Sequence, residues 1–181
     1  MDRQPLLEGS LLTIRPLRAE DWDAFYGAAS DPLIWAQHPA HDRWQPDVCR
    51  AFFDDALAKG GAVAVIDRAS GAFLGSSRWQ AHNPDNGGSV EIGWTFLARG
   101  AWGGGYNREM KRLMLAHAFR YVARVDFRIG EGNLRSRVAC ERIGGRLSDR
   151  SDVAMMGGVP VRHVVYEITR EAFESGPLAI S

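Results

Sequence analysis

Between Val90 and Phe119 the chain reads VEIGWTFLARGAWGGGYNREMKRLMLAHAF. An alternating stretch runs into a glycine-rich turn, and the turn opens directly into a long amphipathic segment. That order leaves a row of backbone N–H groups at the start of a helix, where a pyrophosphate can be held without a side-chain charge. The turn lacks the Gly-Lys-Ser/Thr ending that a P-loop needs to reach terminal phosphates and magnesium. Nor does an acidic residue follow where a Rossmann unit places one for a ribose. What is left is a diphosphate gripped by main chain without metal, a description that coenzyme A fits. Upstream of the turn, Glu91 lies inside the alternating stretch. A carboxylate within such a strand is unusual unless it is paired or functional, and it could serve as a general base. It could equally face solvent or pair with Arg78 on the neighbouring strand.

The elements that must position these groups alternate between strand and helix. Leu11 to Leu17 reads as a first strand, and Ala19 to Ala29 as a helix with Trp22, Phe25 and Tyr26 at helical spacing. Asp31 to Pro46 reads as irregular. A second helix is predicted over Asp47 to Lys59, between Pro46 and the closing Gly60-Gly61. Ala62 to Asp67 and Ala72 to Gln80 form a predicted hairpin. After the turn Asn83 to Gly88 comes the strand Ser89 to Leu97, with Val90, Ile92, Trp94 and Phe96 expected on one face. Glu91, Gly93, Thr95 and Leu97 are expected on the other. The long helix is predicted from about Gly105 to Val122, with Tyr106, Met110, Leu113, Met114 and Ala118 on one stripe. A strand over Val125 to Gly130, a helix over Asn133 to Ile143, and strands over Arg146 to Asp149 and Val161 to Thr169 complete the pattern. The step from Val90 to Gly130 predicts a parallel crossover. The whole is an α/β arrangement, a mixed sheet with antiparallel hairpins around that step.

At 181 residues the chain reads as one domain over residues 1–181, with residues 174–181 as a loose tail. A formal net charge of +0 gives no support to nucleic-acid or membrane-surface binding, both of which favour a basic excess. Cys49 and Cys140 are far apart and outside any Cys-x-x-Cys spacing, so they read as reduced thiols. The opening MDRQPLLEGSLLTIR shows no basic start followed by an apolar run, and no uncharged apolar segment approaches membrane-spanning length. The expectation is a soluble cytoplasmic domain. His38-Pro-Ala-His41 has no third ligand at convincing spacing, and no metal is expected.

Three segments, EIGWTFL, WGGGYNREMKRLML and GNLRSRVACERIG, give the chain a specific likeness. It resembles GNAT-type N-acetyltransferases, and within them the RimJ/RimL-like branch that acetylates protein N-termini and small amines. The likeness runs from LTIRPL to VVYEI. It implies a single-domain, mainly antiparallel GNAT-like sheet flanked by helices on both faces, acetyl-CoA as acyl donor, and direct transfer to an amine without an acyl-enzyme.

The resemblance also implies roles. The family's loop pattern Gln/Arg-x-x-Gly-x-Gly/Ala meets its glycines in Gly103 and Gly105 and departs at Gly100, where neighbouring Arg99 could supply the charge. Trp102, Gly104, Tyr106 and Asn107 are expected to add amides or walls, and Arg108 a phosphate contact. Phe96 and Leu97 would give backbone contacts to the pantetheine arm. Glu91 would accept the amine's proton or orient water. Asn133 and Ser136 match the family's Asn-x-x-Ser/Ala. Asn133 would bond the pantetheine as well as cap its helix, and Ser136 would stand near the sulfur. Cys140 falls where many relatives place a tyrosine that protonates the leaving thiolate. A buried thiol is a poor acid, so Ser136 becomes the candidate. Arg137 could reach a phosphate, and Arg135 is expected to face water. Trp35, His38, Arg78 and Trp79 are expected on the acceptor side.

The resulting expectation is an acetyl-CoA-dependent N-acetyltransferase acting on a primary amine, a protein N-terminus or a small molecule. The alternative is a non-catalytic CoA-binding sensor or interaction module. No nucleic-acid or membrane partner is expected, and the late strand could pair with a second copy to give a homodimer.

Overall fold

Hydrophobic alternation and turn chemistry place eight strands in one sheet, and the computed structural model describes residues 1–156 and 158–179 of the chain. The strands are β1 (Leu7–Glu8), β2 (Leu12–Pro16), β3 (Ala62–Asp67), β4 (Phe73–Asn83), β5 (Ser89–Leu97), β6 (Arg124–Gly130), β7 (Arg146–Met156) and β8 (Val159–Thr169). Their spatial order is β1-β2-β3-β4-β5-β6-β8-β7. Every neighbouring pair is antiparallel except β5 with β6, the parallel step that the sequence predicts.

Helices cover both faces. On one lie α1 (Trp22–Ala29), α2 (Pro32–Trp35) and α3 (Pro46–Lys59), packed over Ala62, Ala64 and Phe96. Phe25 sits at its centre, with ring centroids 5.0 Å from Phe53 and 4.9 Å from Phe96. On the other face α4 (Tyr106–Ala118) and α5 (Leu134–Arg142) cover Val90, Ile92, Val125 and Phe127, and α6 (Arg170–Glu174) follows β8. Met110, Met114 and Leu115 of α4 are fully buried, and each such side chain contributes about 1.5–3 kcal/mol of hydrophobic stabilisation. The mixed, mainly antiparallel sheet with helices on both faces is as expected.

Several differences have physical causes. The segment Asp31 to Pro46, expected to be irregular, contains α2, with Pro32 at its first position and the Asp31 carboxylate accepting from Leu33 N at 2.9 Å. Strand β7 runs to Met156, not Asp149. It is an edge strand held by its ladder to β8 and not by a buried face, so it carries no hydrophobic alternation. The chain after Glu174 is not loose throughout, because Leu178 is buried in the α4 core; Ile180 and Ser181 lie outside the described residues. Among the described residues no helix is long and apolar enough to cross a membrane.

Candidate active site

The parallel pair β5–β6 is joined only at its beginning. Ser89, Val90 and Glu91 pair with Arg124, Val125 and Asp126, and beyond that point no pairs join them, although β5 continues to Leu97 and β6 to Gly130. On its other side β5 stays paired with β4, but the register slips between Ser76↔Phe96 and Arg78↔Gly93. The extra residue is Trp94, at φ 51, a left-handed bulge that reverses the alternation after it. This corrects the expected faces. Trp94 and Phe96 lie toward α1–α3, the side of Arg78, whereas Thr95 and Leu97 join Val90 and Ile92 toward α4. Phe96 and Leu97 therefore stand beyond the last β5–β6 pair, and the Leu97 carbonyl accepts from Trp102 Nε1 at 2.9 Å.

Next along the chain, Gly103 (φ 76) and Gly105 (φ 85) bend the turn through left-handed backbone that side chains disfavour, and Gly105 caps α4. The first closing bond of the helix runs from Glu109 N to Gly105 O at 3.0 Å. The N–H groups of Gly103, Gly104, Gly105, Tyr106, Asn107 and Arg108 thus have no acceptor among the described residues, as a main-chain anion site requires. Those amides fit the diphosphate of coenzyme A. The side chains around them are partly engaged elsewhere. Tyr106 donates its hydroxyl to Asp67 at 2.9 Å, Arg108 donates to the Pro177 carbonyl, and Arg99 is paired with Asp31. Trp102 is exposed, with the Arg135 guanidinium 4.5 Å from its ring centroid. Arg135 does not point to water. It donates to the carbonyls of Leu33 (3.3 Å) and Ile34, tying α5 to α2.

Glu91 is buried on the α1–α3 side, where it lines a cavity of about 260 Å³ together with Asp126, Arg128, Arg150 and Asp152. Burial pushes its carboxyl up to about 7, against the pull of Arg128 and of Gln80 opposite it on β4. It makes no ion pair with Arg78, whose partner is Asp55 at 3.0 Å. Its Oε1 lies 3.4 Å from where a Cβ on Gly93 would stand, so the carboxylate leans along the strand toward the opening. A carboxyl poised near neutrality in a cavity can take up a proton at physiological pH.

At the start of α5, Asn133 is buried and caps the helix, its carbonyl oxygen accepting from Ser136 N at 3.2 Å. Ser136 is half-buried. Arg137 donates to the Tyr166 hydroxyl at 3.1 Å and to the Glu131 carbonyl at 3.0 Å, so its side chain is held by the fold. Cys140 is buried against Gly145, and burial pushes its thiol up to about 12.

The expected acceptor residues divide between the two faces. Arg78 lies on the side of Glu91, its Cα opposite Gly93 and its guanidinium 5.0 Å from the Trp94 ring centroid. It is 1% exposed, yet its Nε and Nη2 have no hydrogen-bond partner among the described residues. Trp79 is turned the other way, into the α4 core beside His117, with ring centroids 5.5 Å apart. Placing it on the acceptor side is corrected by its strand parity. Trp35 is core, its Nε1 donating to Ala29 O at 2.8 Å. His38 packs edge-on to Trp35, and burial next to Arg43 pushes it down to about 3, so it is neutral. Among the described residues no group of three or more His, Cys, Asp or Glu could hold a metal ion.

Two more cations line these faces, Arg43 half-buried and Lys111 buried. Arg43 lies 4.3 Å over the Phe52 ring, and burial lowers it to about 10. Lys111 of α4 is buried, with its Nζ 2.8 Å from Thr95 Oγ1. Its signal was there to find: buried Leu115 lies four residues on, so a stripe widened by one position takes Lys111 in.

The fold agrees with comparisons against known proteins. The model of the acetyltransferase (GNAT) domain family matches residues 12–146, well over half of the chain. The chain belongs to that family and is an N-acetyltransferase that uses acetyl-CoA. A solved GCN5-related N-acetyltransferase from Brucella melitensis is similar over 95% of this chain and 81% of its own, with a TM-score of 0.83 at 21% identity. Mycobacterium smegmatis RimJ in complex with CoA-disulfide is similar over 92% of this chain and 86% of its own, with a TM-score of 0.67 at 18% identity. Spermidine N-acetyltransferase from Vibrio cholerae, in complex with CoA and spermine, is similar over 91% and 99%, with a TM-score of 0.68 at 15% identity. At such identities these likenesses carry the fold. No curated protein matches the chain in sequence.

Proposed function

We propose that the chain acetylates a primary amine, on a protein N-terminus or a small molecule, by direct transfer in the manner of the RimJ/RimL-like branch. The observation that carries this reading is the Glu91 carboxylate, buried beside a cavity and leaning toward Gly93, where β5 and β6 part. Acetyl-CoA, when bound, supplies the acetyl thioester. The amides from Gly103 to Arg108 hold its diphosphate, with Trp102 as a wall. The backbone of Phe96 and Leu97 and the Asn133 side chain line the path of its arm. Ser136 borders that path at the head of α5.

The amine enters from the α1–α3 side. There Glu91 takes its proton, directly or through water, and the buried Arg78 guanidinium beside Trp94 favours an anionic group on the acceptor through its charge. His38 and Trp35 stiffen that wall from α2 outward, and Arg99, Arg108 and Arg137 keep the surrounding loops in place through their own pairs. Cys140 takes no covalent part, since a thiol pushed up to about 12 is not a thiolate at neutral pH.

The test is a thiol-release assay with acetyl-CoA across peptides, polyamines and amino acids. Steady turnover on one amine class is expected, with mass spectrometry locating a single acetyl on the amine nitrogen. Calorimetric CoA binding with every acceptor left unmodified would favour a sensor instead.

A further inference from the structure

Lys111 is the least accounted-for charge in the molecule. It is 6% exposed, and among the described residues no carboxylate is paired with it and its only hydrogen-bond partner is the Thr95 hydroxyl. An ammonium has three N–H donors, so two of them lack an acceptor among the described residues. Burying a cation that way is costly, and replacing it with an apolar side chain would be cheaper. Three elements pack against it. β5 offers the Thr95 hydroxyl, itself 2.7 Å from Ser77 Oγ of β4, and β6 offers the Phe127 ring, with Nζ 5.5 Å from its centroid. α5 offers the Cys140 thiol, the only titratable group facing it.

The position matters more than the cost. Thr95 lies beyond the last β5–β6 pair, and Phe127 is on the diverging length of β6, so Nζ spans the opening from the α4 side. Glu91 reaches the same place from the opposite face. Thr95 Oγ1 and Ser77 Oγ each lie 3.4 Å from the Gly93 carbonyl, and Glu91 Oε1 lies 3.4 Å from where a Cβ on Gly93 would stand. Where the sheet opens, Glu91 thus lies on one face beside Gly93 and Lys111 on the other beside Thr95, two residues further along the same strand.

We infer that Lys111 is the acid of the acetyl transfer, giving its proton to the sulfur that leaves, in the place where Cys140 stands instead of a tyrosine. The inference rests on the acetyl-transfer reading above. In the step the amine lone pair forms the C–N bond, and the C–S bond breaks with its electron pair on sulfur. The amine's proton goes to Glu91, and the proton on sulfur comes from Lys111 Nζ. When products leave, Glu91 releases its proton to water and Lys111 regains one, so no net proton is held. Burial holds the Lys111 ammonium down to about 8, close to a thiol's own range, which suits proton exchange between the two.

The experiment compares the native protein with Lys111→Met, using CoA and acetyl-CoA as probes. Because an apolar side chain replaces a buried charge, the variant is expected to melt at or above the native temperature. Ultraviolet titration of bound CoA should find its thiol ionising about one pH unit or more lower in the native protein than in the variant. Cys49 and Cys140 are pushed up to about 11 and 12 and stay silent in that range. Acetyl-CoA, with no ionisable thiol, should bind both proteins alike by calorimetry, while kcat falls about 100-fold or more. Equal thiol titration in the two proteins, or an unchanged kcat, overturns the inference. Should the variant fail to fold, the native complex decides alone, and a bound thiol that ionises no lower than free CoA overturns it. Failure of CoA to bind the native protein sinks the acetyl-transfer reading itself, a result visible before any variant is made.

Discussion

Glu91 and Lys111 are opposite charges that burial moves toward each other, the carboxyl up to about 7 and the ammonium down to about 8. Each shift is also a statement about stability. With Glu91 raised, the native state holds an extra proton between the ordinary carboxylate range and about pH 7, so stability falls as pH rises through that window. With Lys111 lowered, the native state holds fewer protons from about pH 8 to the ordinary lysine range, and stability rises with pH there. Glu91→Gln is accordingly expected to melt higher than the native protein at pH 8, by about 2–4 °C for each kcal/mol recovered in a chain of this size. The same substitution should lower kcat by about 100-fold or more and leave acetyl-CoA affinity nearly unchanged. In the native enzyme the rate should rise with pH through about 7 and fall above about 8. Melting curves and pH–rate profiles check both, and a flat profile across that range removes Glu91 as base.

At the scale of elements, the glycine turn does for the donor what no side chain does. Gly105 at φ 85 both caps α4 and keeps its neighbours' amides pointing outward. Gly105→Val places a β-branched residue in left-handed backbone, which costs about 1–2 kcal/mol if the turn is kept. Calorimetry should show acetyl-CoA binding about tenfold weaker or worse with kcat at saturation little altered; unaltered affinity would mean that the loop does not hold the donor. This turn was legible in the sequence because glycine spacing and a following helix are local signals. So was Glu91, a charge inside an apolar alternation. The Trp94 bulge was not legible, since a tryptophan in left-handed backbone breaks the period without a glycine to announce it. Misreading it put Trp94 and Phe96 on the wrong face. Trp79 differs for another reason: its place near the turn suggests the acceptor side, but strand parity sends it into the α4 core. Lys111 is legible only when the α4 stripe is widened by one position toward Leu115, because lysine on a helix ordinarily means solvent.

For the whole molecule, the sheet closes on a bare edge. β7 is the last strand in the order and carries exposed Leu147, Val153 and Met155, with Val159 exposed across the hairpin. Exposed apolar side chains near the end of an edge strand favour pairing, and a net charge of +0 supplies no repulsion to prevent it. Analytical ultracentrifugation is expected to find a dimer that Val153→Lys converts to monomer without loss of melting temperature. A native protein that sediments as a monomer would leave this edge without a second copy.

The short helix α2 is moored at both ends to the walls of the donor site, by Asp31 to Arg99 and by the Leu33 and Ile34 carbonyls to Arg135, which in turn lies over Trp102. Whatever settles between those walls reaches the mooring of the helix that roofs the amine's approach. Initial-rate kinetics are accordingly expected to show acetyl-CoA binding before the amine, and a random order would mean that these ties do not couple the two approaches.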